Sequence, residues 1–139
     1  ILNAKHYEAA VKAGSKFIVS PGTTLEILDA ARRMPVPLLP GAATPSEVMA
    51  LREEGYAVMK FFPAEQAGGA AYLKSLSSPL AGIQFCPTGG ITPALALDYL
   101  ALPNVVCVGG SWVAPKALVE AGDWDAITAL AAAAAALGK

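Results

Sequence analysis

The sequence predicts an α/β chain of five consecutive βα units, part of an eight-stranded (β/α)8 TIM barrel. Three observations lead there. Short apolar runs alternate with amphipathic helical stretches along the whole chain. The loop markers Ser20, Pro40, Lys60, Thr88 and Gly110 recur every ~20 to ~28 residues, about the length of one βα unit. Every loop with chemical character follows the carboxyl end of a strand, the face on which barrels carry their sites. An open doubly wound sheet is the alternative, and the short strands and uniform units favour the barrel. Five strands cannot close it and would leave two unpaired parallel edges, so about three further βα units are expected ahead of Ile1. With no linker or shift in composition, residues 1–139 read as the C-terminal part of a single barrel domain.

Each element has its local signal. Residues 3–13 read as a helix capped by Asn3 and stopped by Gly14, followed by the buried strand Phe17-Ile18-Val19 and the loop Ser20-Pro21-Gly22. A helix from Leu25 to Arg33 leads to strand Pro37-Leu38-Leu39 and loop Pro40-Gly41-Ala42. Thr44 caps the next helix, Pro45 suits its first position, Glu47 completes a capping box, and Gly55 ends it. The third strand is 57–62, a helix covers about 70–75, and the fourth strand is Ile83 to Cys86. After Pro87-Thr88-Gly89-Gly90-Ile91 comes a helix over 93–100, then a fifth strand Val105 to Val108 and the loop Gly109-Gly110-Ser111-Trp112. From about Pro115 to the end the chain reads as helical, with a break near Gly122-Asp123.

The bulk numbers exclude several classes. A chain 55% hydrophobic and only 15% charged buries much of its surface, as parallel sheets covered by helices do. The net charge of −1, with basic and acidic residues interspersed, offers no patch for nucleic acid or an anionic membrane. No apolar stretch reaches the roughly 18 residues of a membrane span. Cys86 and Cys107 sit in apolar runs without metal-like spacing and read as core residues of a reduced, cytoplasmic protein. His6, beside Lys5 and Glu8, reads as a surface residue, and with two core cysteines it cannot assemble a zinc site.

Lys60 is the leading candidate for chemistry. It places a charged amine inside the apolar run Ala57-Val58-Met59-Lys60-Phe61-Phe62, where an unpaired ammonium is costly. An amine in an apolar pocket has a lowered pKa and can attack a ketone. The alternative is a lysine that snorkels out or pairs with Glu65. Thr88-Gly89-Gly90 and Gly109-Gly110-Ser111 each follow a strand, and glycines there let backbone N–H groups approach phosphate. Glu65 is an orienting partner or an acid/base group. Trp112 and Trp124 read as packing residues, and Phe62 as a pocket wall.

Five motifs occur in order: Phe17-Ile18-Val19-Ser20-Pro21-Gly22, Pro37-Leu38-Leu39-Pro40-Gly41, Lys60-Phe61-Phe62-Pro63-Ala64-Glu65, Phe85-Cys86-Pro87-Thr88-Gly89-Gly90-Ile91 and Gly109-Gly110-Ser111-Trp112. With them the whole chain closely resembles the 2-keto-3-deoxy-6-phosphogluconate aldolases, which often also act on 4-hydroxy-2-oxoglutarate. The resemblance implies a homotrimeric (β/α)8 barrel of the Entner-Doudoroff pathway. It also implies reversible cleavage of a phosphorylated 2-keto acid to pyruvate and glyceraldehyde 3-phosphate, without metal or other cofactor. Lys60 falls on the Schiff-base lysine, Thr88 on a threonine touching the pyruvate part, and Phe62 on the aromatic wall. Gly89, Gly90, Gly110 and Ser111 fall on the phosphate loops, and Ser20 and Pro21 on a strand end lining the site. Three upstream residues of the family, an acid/base glutamate, an arginine and a threonine, have no counterpart here. The chain alone is therefore not expected to be a competent aldolase. Rival readings are another phosphate-binding barrel enzyme of epimerase or synthase type, and an inactive binding or assembly module.

Overall fold

The computed structural model describes residues 1–137. Its first helix, α1 (Ala4–Lys12), begins where the Asn3 side chain accepts the amide N–H of His6 at 2.9 Å. Tyr7 is fully buried and its hydroxyl donates to the Val36 carbonyl at 2.6 Å, tying α1 to the entry of the second strand. The strand β1 (Ile18–Val19) follows, then α2 (Leu25–Arg33), capped by Thr24. Next come β2 (Leu38–Leu39), β3 (Gly41–Ala42) and α3 (Pro45–Glu53), where Thr44 and Glu47 form the reciprocal capping box that their spacing predicts.

β2 and β3 are one line of chain interrupted at Pro40. β1 pairs in parallel with β2, whereas β3 pairs in parallel with β4 (Val58–Phe61). Proline has no N–H for a ladder, so the strand changes partner there, and the Pro40 carbonyl accepts from the Lys60 amide at 2.8 Å. The strand β5 (Gln84–Pro87) extends the parallel array beyond β4. Helix α4 (Gly69–Leu76) lies between β4 and β5 in sequence, and α5 (Pro93–Leu100), capped by Thr92, follows β5.

The expected fifth strand, Val105 to Val108, does not form. Two isolated parallel bridges stand in its place, Phe85 to Val105 and Thr88 to Gly109. Between them β5 advances three residues while the partner advances four, so a continuous ladder cannot run through. Cys107 is exposed and Cys86 only half buried, which corrects the reading of both as core residues. The described chain is thus an open parallel α/β array, with four strand-bearing units and a bridged segment, and no closed barrel. Beyond it lie a turn of 3-10 helix at Ser111–Val113, α6 (Lys116–Ala121) and α7 (Trp124–Ala135). Gly122 in the left-handed region and Asp123, which caps α7, make the predicted break. Gly138 and Lys139, the last part of the expected helical tail, lie outside the described residues. Among the described residues no helix is long and apolar enough to cross a membrane.

The core lies between sheet and helices. Met59, Phe61 and Phe85 are fully buried against Leu73, Ala96 and Tyr99. Phe61 packs edge-on to Phe85 with ring centroids 6.3 Å apart, and stacks on Tyr72 at 5.7 Å.

Candidate active site

Strand alternation aims Lys60. Its neighbours Met59 and Phe61 turn to the helix-covered face, so Lys60 faces the other side of the sheet. In register with it stand Gly41 on β3 and Cys86 on β5. A Cβ on Gly41 would sit 2.4 Å from the Pro21 backbone and 2.5 Å from the Ser20 carbonyl, so only glycine admits this approach of the loop after β1.

The Lys60 side chain is half buried, and burial pushes its pKa below the ordinary lysine value. The Cys86 thiol is itself raised, by its hydrogen bond with Cys107 and by burial, and so stays protonated and neutral beside the amine. No ion pair among the described residues includes Lys60. Its Nζ lies 4.7 Å from the Phe62 ring centroid, over an aromatic face instead of a carboxylate. Glu65 is held elsewhere, accepting a short hydrogen bond from the Tyr99 hydroxyl. That contact corrects the expectation that Glu65 pairs with Lys60.

Lys60 opens into a cleft of about 930 Å³, whose lining includes Phe62, Thr88, Gly89, Gly90, Gly110 and Ser111. Two chain segments distant in sequence are therefore brought onto one surface with the amine. Gly89 and Gly90 have φ of +102° and +77°, a region that L side chains rarely adopt. Gly110 is glycine for a different reason: a Cβ there would lie 1.3 Å from the Trp112 ring, which folds over it. Trp112 is thus packing against the loop, as expected, while Trp124 is mostly exposed.

Thr88 is fixed by its backbone, its N–H donating to Phe61 at 2.9 Å and its carbonyl accepting from Ala64 at 2.8 Å. Its Cγ2 methyl fills the space a Cβ on Gly109 would need. Its hydroxyl oxygen is buried and has no hydrogen-bond partner among the described residues. A buried hydroxyl left unpaired is costly, and is a natural place for a ligand oxygen. Ser20 and Pro21 do not line the cleft. Ser20 is fully buried, with its Oγ accepting from the Gly41 amide at 3.4 Å. Lys116 lines the cleft although no motif points to it; its signal is only its place at the start of the helix after the Ser111 loop. His6 is exposed, as its neighbours predict.

A parallel α/β array with a half-buried lysine and glycine-rich loops at the carboxyl ends of its strands is the arrangement of barrel-type enzymes that work at that face. Within that class, the profile of the KDPG and KHG aldolase family matches residues 1–130, and the chain belongs to this family. It is similar to the 2-dehydro-3-deoxy-phosphogluconate aldolase of Pseudomonas aeruginosa, with 50% identity over 94% of this chain and 59% of the relative. A crystal structure of KDPG aldolase from Legionella pneumophila, with pyruvate captured as a covalent carbinolamine, superposes with a TM-score of 0.90 and 42% identity, over 96% of this chain and 65% of that one. The 2-keto-3-deoxy-6-phosphogluconate aldolase of Zymomonas mobilis with 3-phosphoglycerate gives a TM-score of 0.89 and 45% identity, over 100% of this chain and 65% of that one. The chain thus spans under two thirds of the length of these relatives.

Proposed function

We propose that this chain carries the Schiff-base lysine of a class I aldolase, acting on 2-keto-3-deoxy-6-phosphogluconate and also on 4-hydroxy-2-oxoglutarate. The observation that carries the reading is a half-buried lysine, free of carboxylate partners among the described residues, opening into one cleft with two glycine loops. The carbinolamine captured in the Legionella pneumophila relative is the intermediate such an amine would form.

Neutral Lys60 adds to the C2 ketone, giving a carbinolamine that loses water to an iminium. As the proton leaves the C4 hydroxyl, the C3–C4 bond breaks and its electron pair moves into the iminium. Glyceraldehyde 3-phosphate departs and an enamine of pyruvate remains on Lys60. Protonation at C3 and hydrolysis then release pyruvate and restore the amine. Thr88 donates its unpaired hydroxyl to the pyruvate portion, Phe62 walls the pocket, and Gly89, Gly90, Gly110 and Ser111 receive the phosphate. Ser20 and Pro21 support the strand end beside Lys60 through Gly41. Among the described residues no carboxylate lines the cleft, so these elements supply the electrophilic half of the chemistry and not the base.

Residues 1–139 are read as the C-terminal part of one (β/α)8 barrel, supported by the parallel array and by the family match, and a cytoplasmic homotrimer is the assembly that the resemblance implies. Pyruvate with borohydride tests the central claim. A reduced adduct on Lys60 is expected; an adduct on Lys74 or Lys116 instead, or none, overturns it.

A further inference from the structure

Two cations and no anion line the cleft among the described residues. One is Lys60, which must be neutral to attack and becomes the iminium, so it cannot also serve as the lasting counter-charge to a phosphate. The other is Lys116, the first residue of α6, which shares the cleft lining with Gly89, Gly90, Gly110 and Ser111. Helical side chains lean toward the amino end of their helix, which directs the Lys116 stem back toward the Ser111–Trp112 turn. Its ion pair with Glu120, at 3.5 Å, joins side chains that are 86% and 65% exposed, so a stronger anion displaces it at little cost. Backbone N–H groups and the Ser111 hydroxyl can orient a phosphate, but they leave its double negative charge without a counter-ion.

We propose that Lys116 neutralises the substrate's terminal phosphate and so sets the preference for phosphorylated over unphosphorylated 2-keto acids. This rests on the aldolase reading of the cleft, which it deepens. The flexible stem lets the ammonium follow the phosphate, while the glycine loops fix where that phosphate sits.

The full chain and its Lys116→Met and Lys116→Arg variants are titrated with inorganic phosphate by calorimetry. Loss of a charge-assisted contact is expected to weaken binding roughly five- to thirtyfold in Lys116→Met, with most of it restored in Lys116→Arg. The ratio of borohydride-trapping efficiency on Lys60 for the phosphorylated acid to that for 4-hydroxy-2-oxoglutarate should fall by a similar factor, through the half-saturating concentration and not the maximal rate. Unchanged phosphate affinity in Lys116→Met, or an equal loss on both acids, overturns the proposal. The pyruvate adduct on Lys60 is read on the same preparations. If the unaltered chain forms no adduct, the aldolase reading fails while the phosphate titration still decides the role of Lys116.

Discussion

At the scale of single residues, the proposed chemistry depends on keeping one amine unprotonated. Burial lowers the Lys60 pKa from the usual 10.5, Cys86 remains a neutral thiol, and the Nζ lies over the Phe62 ring. Because the free amine attacks, the rate of pyruvate trapping should rise with pH around a midpoint below the ordinary lysine value of 10.5. A midpoint at or above the ordinary value would refute the desolvation argument. Lys60→Arg keeps a cation but removes a usable nucleophile, and should abolish trapping. Thr88 separates binding from stability in the same way. Its hydroxyl has no partner to lose among the described residues, so Thr88→Val should leave the unfolding free energy unchanged or raise it, by no more than about 1 kcal/mol. If that hydroxyl meets pyruvate, the same variant should raise the pyruvate concentration for half-maximal trapping about tenfold. A drop in stability with no change in that concentration would make Thr88 structural.

At the scale of elements, capping sets where helices begin and therefore where strand ends point. The Thr44–Glu47 box starts α3 directly after β3, so that β3 ends beside Lys60. Thr44→Ala should cost about 1 kcal/mol in chemical denaturation. The Ala43 and Thr44 amides hold the Glu47 carboxylate below its usual pKa of 4.5. Since the folded value is the lower one, this contribution is present above about pH 4.5 and is lost as pH falls through the folded pKa. Glu47→Gln should therefore flatten the acid limb of the stability curve, and a limb of unchanged slope would show that the box contributes nothing there. Thr44, Pro45 and Glu47 are legible in the sequence because capping is a local matter of three or four residues. The failure of the strand at Val105 is not, since it depends on how many residues lie opposite on β5.

At the scale of the whole molecule, the site stays assembled because the loop after β4 is fastened to the helix after β5. The Tyr99 hydroxyl donates to Glu65, and burial together with that carboxylate raises the tyrosine pKa. Tyr99→Phe leaves Glu65 without this donor and should destabilise the chain by roughly 1–2 kcal/mol in denaturant melts. It should also weaken phosphate binding, because Gly90 packs against the Glu65 side chain. A destabilised variant with unaltered phosphate affinity would show that the fastening is structural only. Sequence by itself determined the βα alternation, the helix starts, the lysine in an apolar strand and the glycine loops, because periodicity, capping and backbone conformation act over a few residues. Only the tertiary structure decided that Lys60, Thr88, Gly89, Gly90, Gly110 and Ser111 share one cleft while Ser20 and Pro21 stand outside it. It likewise gave Glu65 to Tyr99 and brought Lys116 to the site, since those outcomes depend on strand register and on which distant side chain arrives first at a given donor.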